Sequence, residues 1–212
     1  TEGASGNVIG GVLGESGNLI SGSIYVGVYS DVTAGGNTFI GNLIGTNLAG
    51  NLALPNERGG MHLESTSNQV GSGTSAERNV VSANREGIVV LAHPNHIVGN
   101  FIGTTADGGS DLGNEIEGIL IGRWDPLDGD LSFVGGPGSG EGNRIAYNYW
   151  GVAVCSAHAE IRGNAIGSND SLGIDLECGD TAELIDPLDP DNGPNELQNF
   201  PVITSAATDG VN

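Results

Sequence analysis

The stretch NHIVGNFIGTT, residues 95–105, repeats one phrase, Asn-x-Ile, at Asn95 and again at Asn100. The phrase is not local. Asn-x-[IV] returns at Asn18, Asn42, Asn79, Asn100, Asn143 and Asn164, and self-similarity at a regular interval constrains a fold more than any single motif does. A second set precedes these, at Asn7, Asn37, Asn68 and Asn95, and continues at Leu131 and Ala159, where the Asn is lost but the pattern holds. A third set follows, led by Gly27, Gly60, Gly87, Gly118, Gly151 and Gly173. Three short segments therefore cycle in fixed order.

Each segment has three to five residues of period-two alternation between Gly, Asn and Ser turns, which reads as a strand too short to stand alone. Stacking equivalent strands buries one residue in two. The layer is then the folding unit, and the expected architecture is all-β: a single-stranded right-handed parallel β-helix, a solenoid of about six three-strand coils. The right-handed course follows the general preference of parallel connections. The expected inward stacks are Ile9, Phe39, Val70, Ile97, Phe133 and Ile161; Ile20, Ile44, Val81, Ile102, Ile145 and Ile166; and Met61, Ile88, Ile119, Val152 and Ile174.

The asparagines have a structural reason. A short amide tolerates left-handed dihedrals and can hydrogen-bond the neighbouring coil, so equivalent residues can form a ladder along the axis. The Gly before the third strand serves either a positive-φ bend or a close approach. Spacings between paired Asn sites alternate between short and long, giving a super-repeat of about 61 to 64 residues, as from Asn7 to Asn68 and from Gly87 to Gly151. Residues 1–176 are assigned to the β-helix, and residues 177–212 to an acidic, Pro-rich tail or cap. Thr1 carries no remaining signal peptide, and the first strand starts almost at once, so the sequence reads as a processed chain or an excised fragment whose open first coil invites another coil or subunit.

The segments NHIVGNFIGT and NTFIGNLIGT, with the closing GIDLECGD and DPDNGPNELQNFPVI, resemble the right-handed parallel β-helix repeats of large bacterial secreted and cell-surface proteins. The resemblance covers about residues 7–201 and implies a pectate-lyase-like β-helix in a secreted or surface setting. It implies little about activity, because that scaffold carries lyases, hydrolases, epimerases, adhesins and passive stalks.

Charge narrows the partners. The 26 acidic residues face six basic ones, all Arg, for a net charge of −20. Nucleic acid and anionic membrane surfaces are thereby disfavoured, and no run of about 20 apolar residues is present to insert in a bilayer. Calcium or a neutral polymer suits such a surface. The two cysteines, Cys155 and Cys178, lie about one repeat apart, either bridged between layers or as two small thiols.

Long excursions are where chemistry is expected. GTNLAGNLALPNERG and GTTADGGSDLGNEIEG leave equivalent corners two coils apart and should lie side by side. The second carries Asp107, Asp111, Glu115 and Glu117, and RWDPLDGDLS adds Asp125, Asp128 and Asp130. Oxygen ligands around a glycine suit Ca²⁺: Asp128 and Asp130 flank Gly129, and the tail sets Asp186, Asp189, Asp191 and Asn195 about Gly193. A glycosidase needs two carboxyl groups, and Asp125 or Asp128 with Glu115 or Glu117 are the candidate catalytic pairs. Trp124, Tyr149 and Trp150 are candidates for stacking on sugars. His93 and His96 read as solvent-facing turn residues rather than metal ligands.

Two outward rows complete the reading: His62, Val89, Leu120, Ala153 and Asp175, whose apolar members point to a covered surface, and Val8, Thr38, Gln69, His96, Ser132 and Glu160. Neither row contains a tight acidic dyad. The sequence favours a non-catalytic, calcium-stabilised, glycan-binding structural or adhesion module. A polysaccharide hydrolase or lyase is the second reading, and a filament subunit stacking end to end the third.

Overall fold

The computed structural model describes residues 3–122, 131–155, 158–176 and 178. These form eighteen short strands, three to a coil. The first coil comprises β1 (Val8–Gly10), β2 (Leu19–Ile20) and β3 (Val26–Ser30), and the second β4 (Thr38–Ile40), β5 (Leu43–Ile44) and β6 (Gly59–Leu63). The third holds β7 (Gln69–Val70), β8 (Val80–Val81) and β9 (Ile88–Val90), and the fourth β10 (His96–Ile97), β11 (Phe101–Ile102) and β12 (Glu117–Ile121). The fifth contains β13 (Ser132–Gly135), β14 (Arg144–Ala146) and β15 (Trp150–Val154), and the sixth β16 (Ala159–Arg162), β17 (Ala165–Gly167) and β18 (Ile174–Asp175). Every third strand pairs in parallel, so three six-stranded sheets run the length of the coil stack: sheet A from β1 to β16, sheet B from β2 to β17 and sheet C from β3 to β18. The molecule is a parallel β-helix of six coils. Among the described residues no helix is long and apolar enough to cross a membrane.

Burial follows the strand period. Ile44, Val81, Ile102 and Ile145 of sheet B and Met61, Ile88, Ile119 and Val152 of sheet C are fully buried in one continuous core. The register on those two sheets is the expected one. Sheet A departs at one coil. Ile97 pairs with Val134, and Val134 with Ile161, so Val134 is the inward residue and Phe133 turns outward beside His96. The cause is Ser132, which takes the ladder position assigned to Leu131: its Oγ accepts the Asn95 N–H at 3.1 Å. A one-residue shift exchanges the two faces of a strand.

Three ladders of side chains brace the corners. In the one leading into sheet B, Asn18, Asn42, Asn79, Asn100 and Asn143 each donate both backbone N–H and Nδ2–H to the Oδ1 of the next Asn, ending at Asn164. The ladder into sheet A runs Asn7, Asn37, Asn68, Asn95 and Ser132. A third, into sheet C, runs Asn56, Asn84, Asn114, Asn148 and Asn169. The asparagines are not themselves the left-handed residues. In the tight corners that conformation falls one position earlier, at Gly41, Gly99, Ser67, Ala83 and Tyr147, so the ladder Asn is there for its amide. The Gly leading the third strand serves close approach: a Cβ at Gly87 would lie 2.3 Å from the Gly118 carbonyl oxygen.

The two long excursions of sheet B meet as expected. Each is closed by an antiparallel bridge, Thr46 to Ala53 and Thr104 to Asp111, and Ala106 N–H donates to Gly50 O at 2.8 Å across the short connection of the intervening coil.

Candidate functional site

The leading corner of sheet C gathers the chemistry. Gly60 N–H donates to Glu86 O and Gly87 N–H to Glu117 O, while Glu117 pairs in register with Trp150. Gly59, Glu86, Glu117 and Trp150 thus form one row, a residue per coil, with neighbouring strands about 4.8 Å apart. Glu86 is 4 % exposed and Glu117 9 %. His62 Nε2 lies 3.0 Å from one oxygen of Glu86, and Arg85 Nη1 lies 3.7 Å from the other. Gly59 makes room for this contact, since a Cβ there would come within 2.8 Å of His62 Nε2. Tyr149 packs edge-on against Trp150, with centroids 4.7 Å apart and planes at 77°, and is itself 41 % exposed. The indole N–H of Trp150 is buried and finds no hydrogen-bond acceptor among the described residues.

Glu117, a candidate acid, and Trp150, a candidate sugar platform, are therefore register neighbours, with Tyr149 beside them. Glu115 is not part of the row. It is exposed, and its N–H continues the corner by donating to Asn84 O at 2.9 Å. Trp124, Asp125, Asp128, Asp130, Asp186, Asp189, Asp191 and Asn195 lie outside the described residues. Among the described residues no three His, Cys, Asp or Glu side chains come together as a metal site. The acidic residues of the fourth-coil excursion serve its turns: Asp107 Oδ1 accepts from Thr105 Oγ1 at 2.5 Å and Gly109 N–H at 2.9 Å, and Asp111 Oδ1 from Gly113 N–H at 3.0 Å. The Thr105 hydroxyl, then the Gly109 amide, hold the Asp107 carboxyl below the usual carboxylate range.

The histidines divide. His96 is exposed and stacks on Phe133, whereas His93, expected in solvent, is 4 % exposed with its Nδ1 2.7 Å from Ser132 Oγ. Burial at the corner of sheet A explains the difference, because Ser132 occupies a ladder site.

Sequence reasoning missed the carboxylate pair Glu86 and Glu117. The signal was present: each stands one residue before a repeat glycine, Gly87 or Gly118. Beyond this row the outward face of sheet C is closed over its middle coils, with Val89, Leu120 and Ala153 no more than 2 % exposed. Leu91 and the disulfide Cys155–Cys178, whose Cα atoms are 5.2 Å apart, pack against them. The expectation of a covered apolar row holds.

Compared with protein-family models, with curated proteins and with solved structures, the chain finds no match.

Proposed function

We propose that this chain is a non-catalytic β-helix module of the right-handed type found in bacterial secreted and surface proteins, a rigid element that holds or spaces its partners. One observation carries the reading: three side-chain ladders lock all three corners of a coil stack whose strands stay in register throughout. Such a body resists bending and presents fixed side chains at intervals of about 4.8 Å. Calcium held by the acidic segments about Gly129 and Gly193 belongs to this proposal, on the strength of their spaced oxygen ligands.

A second reading, a polysaccharide-active enzyme, draws on the stacked Glu86 and Glu117 beside Trp150. Paired carboxylates are what glycoside hydrolysis requires. Their burial weighs against it, since a polymer must reach both.

The deciding experiment incubates the protein with neutral and acidic polysaccharides, with calcium and with chelator, and follows protein and polymer by size-exclusion chromatography. Intact polymer is expected. Shortening that disappears in Glu86→Gln or Glu117→Gln would establish the enzyme instead, and a concentration-dependent rise in protein size without polymer would favour end-to-end stacking.

A further inference from the structure

Among the described residues, the outward row of sheet A borders a cleft lined by polar and aromatic side chains together. On sheet C, Val89, Leu120 and Ala153 are closed beneath Leu91 and the disulfide. On sheet B, Leu43 and Val80 are buried, and the fourth-coil excursion sits so close to Phe101 that a Cβ at Gly108 would come within 2.7 Å of its ring. Sheet A instead displays Thr38, Gln69, His96, Phe133 and Glu160 in register, one per coil, with His96 exposed. This row becomes readable only with Phe133 in the outward position.

The row borders a cleft of about 280 Å³. His96 and Phe133 stack along the coil axis, with centroids 4.5 Å apart and planes at 17°, so both rings turn their edges to the solvent. Aromatic edges carry the positive part of the ring quadrupole and attract oxygen. Arg162, ion-paired to Glu160 at 2.5 Å, closes one end, and Gln69 the other. The side wall is the turn 136–141, fixed where Glu141 accepts the Gly138 N–H at 2.7 Å and Gly99 N–H donates to Glu141 O at 2.8 Å.

We propose that this cleft on sheet A binds a neutral polysaccharide lying along the coil axis. The lining mixes planar donors and acceptors with ring edges, which suits hydroxyl-rich ligands. Two carboxylates against one guanidinium, on a chain of net charge −20, exclude polyanions. The inference rests on the binding-module reading given above and assigns it a face.

The test is affinity electrophoresis of the full chain in gels containing β-glucan, xylan, galactomannan or polygalacturonate. At least one neutral polymer should retard the protein and polygalacturonate should not. His96→Ala and Arg162→Ala should each weaken retention by about tenfold, the loss of one or two ligand hydrogen bonds. Arg144→Ala, exposed on sheet B, should leave it unchanged, and circular dichroism should show all three folded. Glu160→Gln keeps the shape and should also weaken retention. Failure to bind any neutral polymer, preference for polygalacturonate, or retention unaltered in both His96→Ala and Arg162→Ala would overturn the assignment. Polymer shortening with retention intact would overturn the non-catalytic reading and leave the cleft standing.

Discussion

Asn100 Oδ1 accepts two hydrogen bonds from Asn79, one from the backbone N–H at 3.2 Å and one from Nδ2 at 2.9 Å, with both residues fully buried. Asn100 Nδ2 in turn donates to the carbonyls of Val70 and Val98 at 2.9 and 3.0 Å. Asn100→Ala therefore leaves buried donors and acceptors unmet on both sides. A loss of about 3 kcal/mol or more is expected, since each orphaned buried group costs about 1–3 kcal/mol. Urea denaturation monitored by circular dichroism checks this. The same change at Asn164, on the partly exposed sixth coil, should cost clearly less.

The register of sheet A is open to a paired test. Val134 is fully buried, whereas Phe133 is only partly buried on the outward face. Val134→Ala should destabilise by about 2 kcal/mol, two methyl groups lost from a packed core, and Phe133→Ala by about 1 kcal/mol or less. Thermal unfolding of the two variants measures the difference. The opposite order would restore the register expected from Leu131.

The disulfide ties residues 23 apart in sequence and packs against the apolar outward row of sheet C. Reduction, or Cys155→Ser with Cys178→Ser, should lower stability by about 3 kcal/mol on the loop-entropy account. Calorimetry with and without reductant checks this. Dye binding should rise as Val89, Leu120 and Ala153 lose part of their cover.

Tyr29 donates its hydroxyl to Glu64 Oε2 at 2.7 Å, and that bond, more than the nearby negative charge, raises the phenol to about 12. The folded state holds the proton more tightly than the unfolded chain does. The associated stability is fully present below the ordinary phenol range and is lost as pH rises through about 12. Ultraviolet titration should find one late-ionising tyrosine, absent in Tyr29→Phe and returned toward the ordinary range in Glu64→Gln.

Much of the architecture was legible because its signals are redundant. On sheets B and C, the Asn and Gly markers and the alternation of apolar residues agree at every coil, so the inward residues follow. Sheet A failed where redundancy failed. Ser132 supplies an oxygen in place of an amide, and with no Asn to anchor the count, the pattern alone places Leu131 at the ladder position. The ladder of Asn84, Asn114 and Asn148 escaped because its distance to the following glycine alternates between three and four residues. The carboxylate row escaped for a different reason: Glu86 and Glu117 are 31 positions apart and meet only through a register in which loop lengths cancel. Trp150 and Glu117 each stand out in the sequence, but what joins them is stacking, which no local motif records.

Every rung of the three ladders points the same way: donors on the earlier coil, acceptors on the later one. The column therefore has a polarity, like a stack of one-way fittings. A duplicated coil pair inserted in the same orientation meets a matching socket above and a matching plug below, whereas one inserted upside down meets donor against donor. Lengthening by tandem copying preserves every buried bond, and the super-repeat of about 61 to 64 residues is the unit in which such growth keeps both the tight and the looped corners in phase.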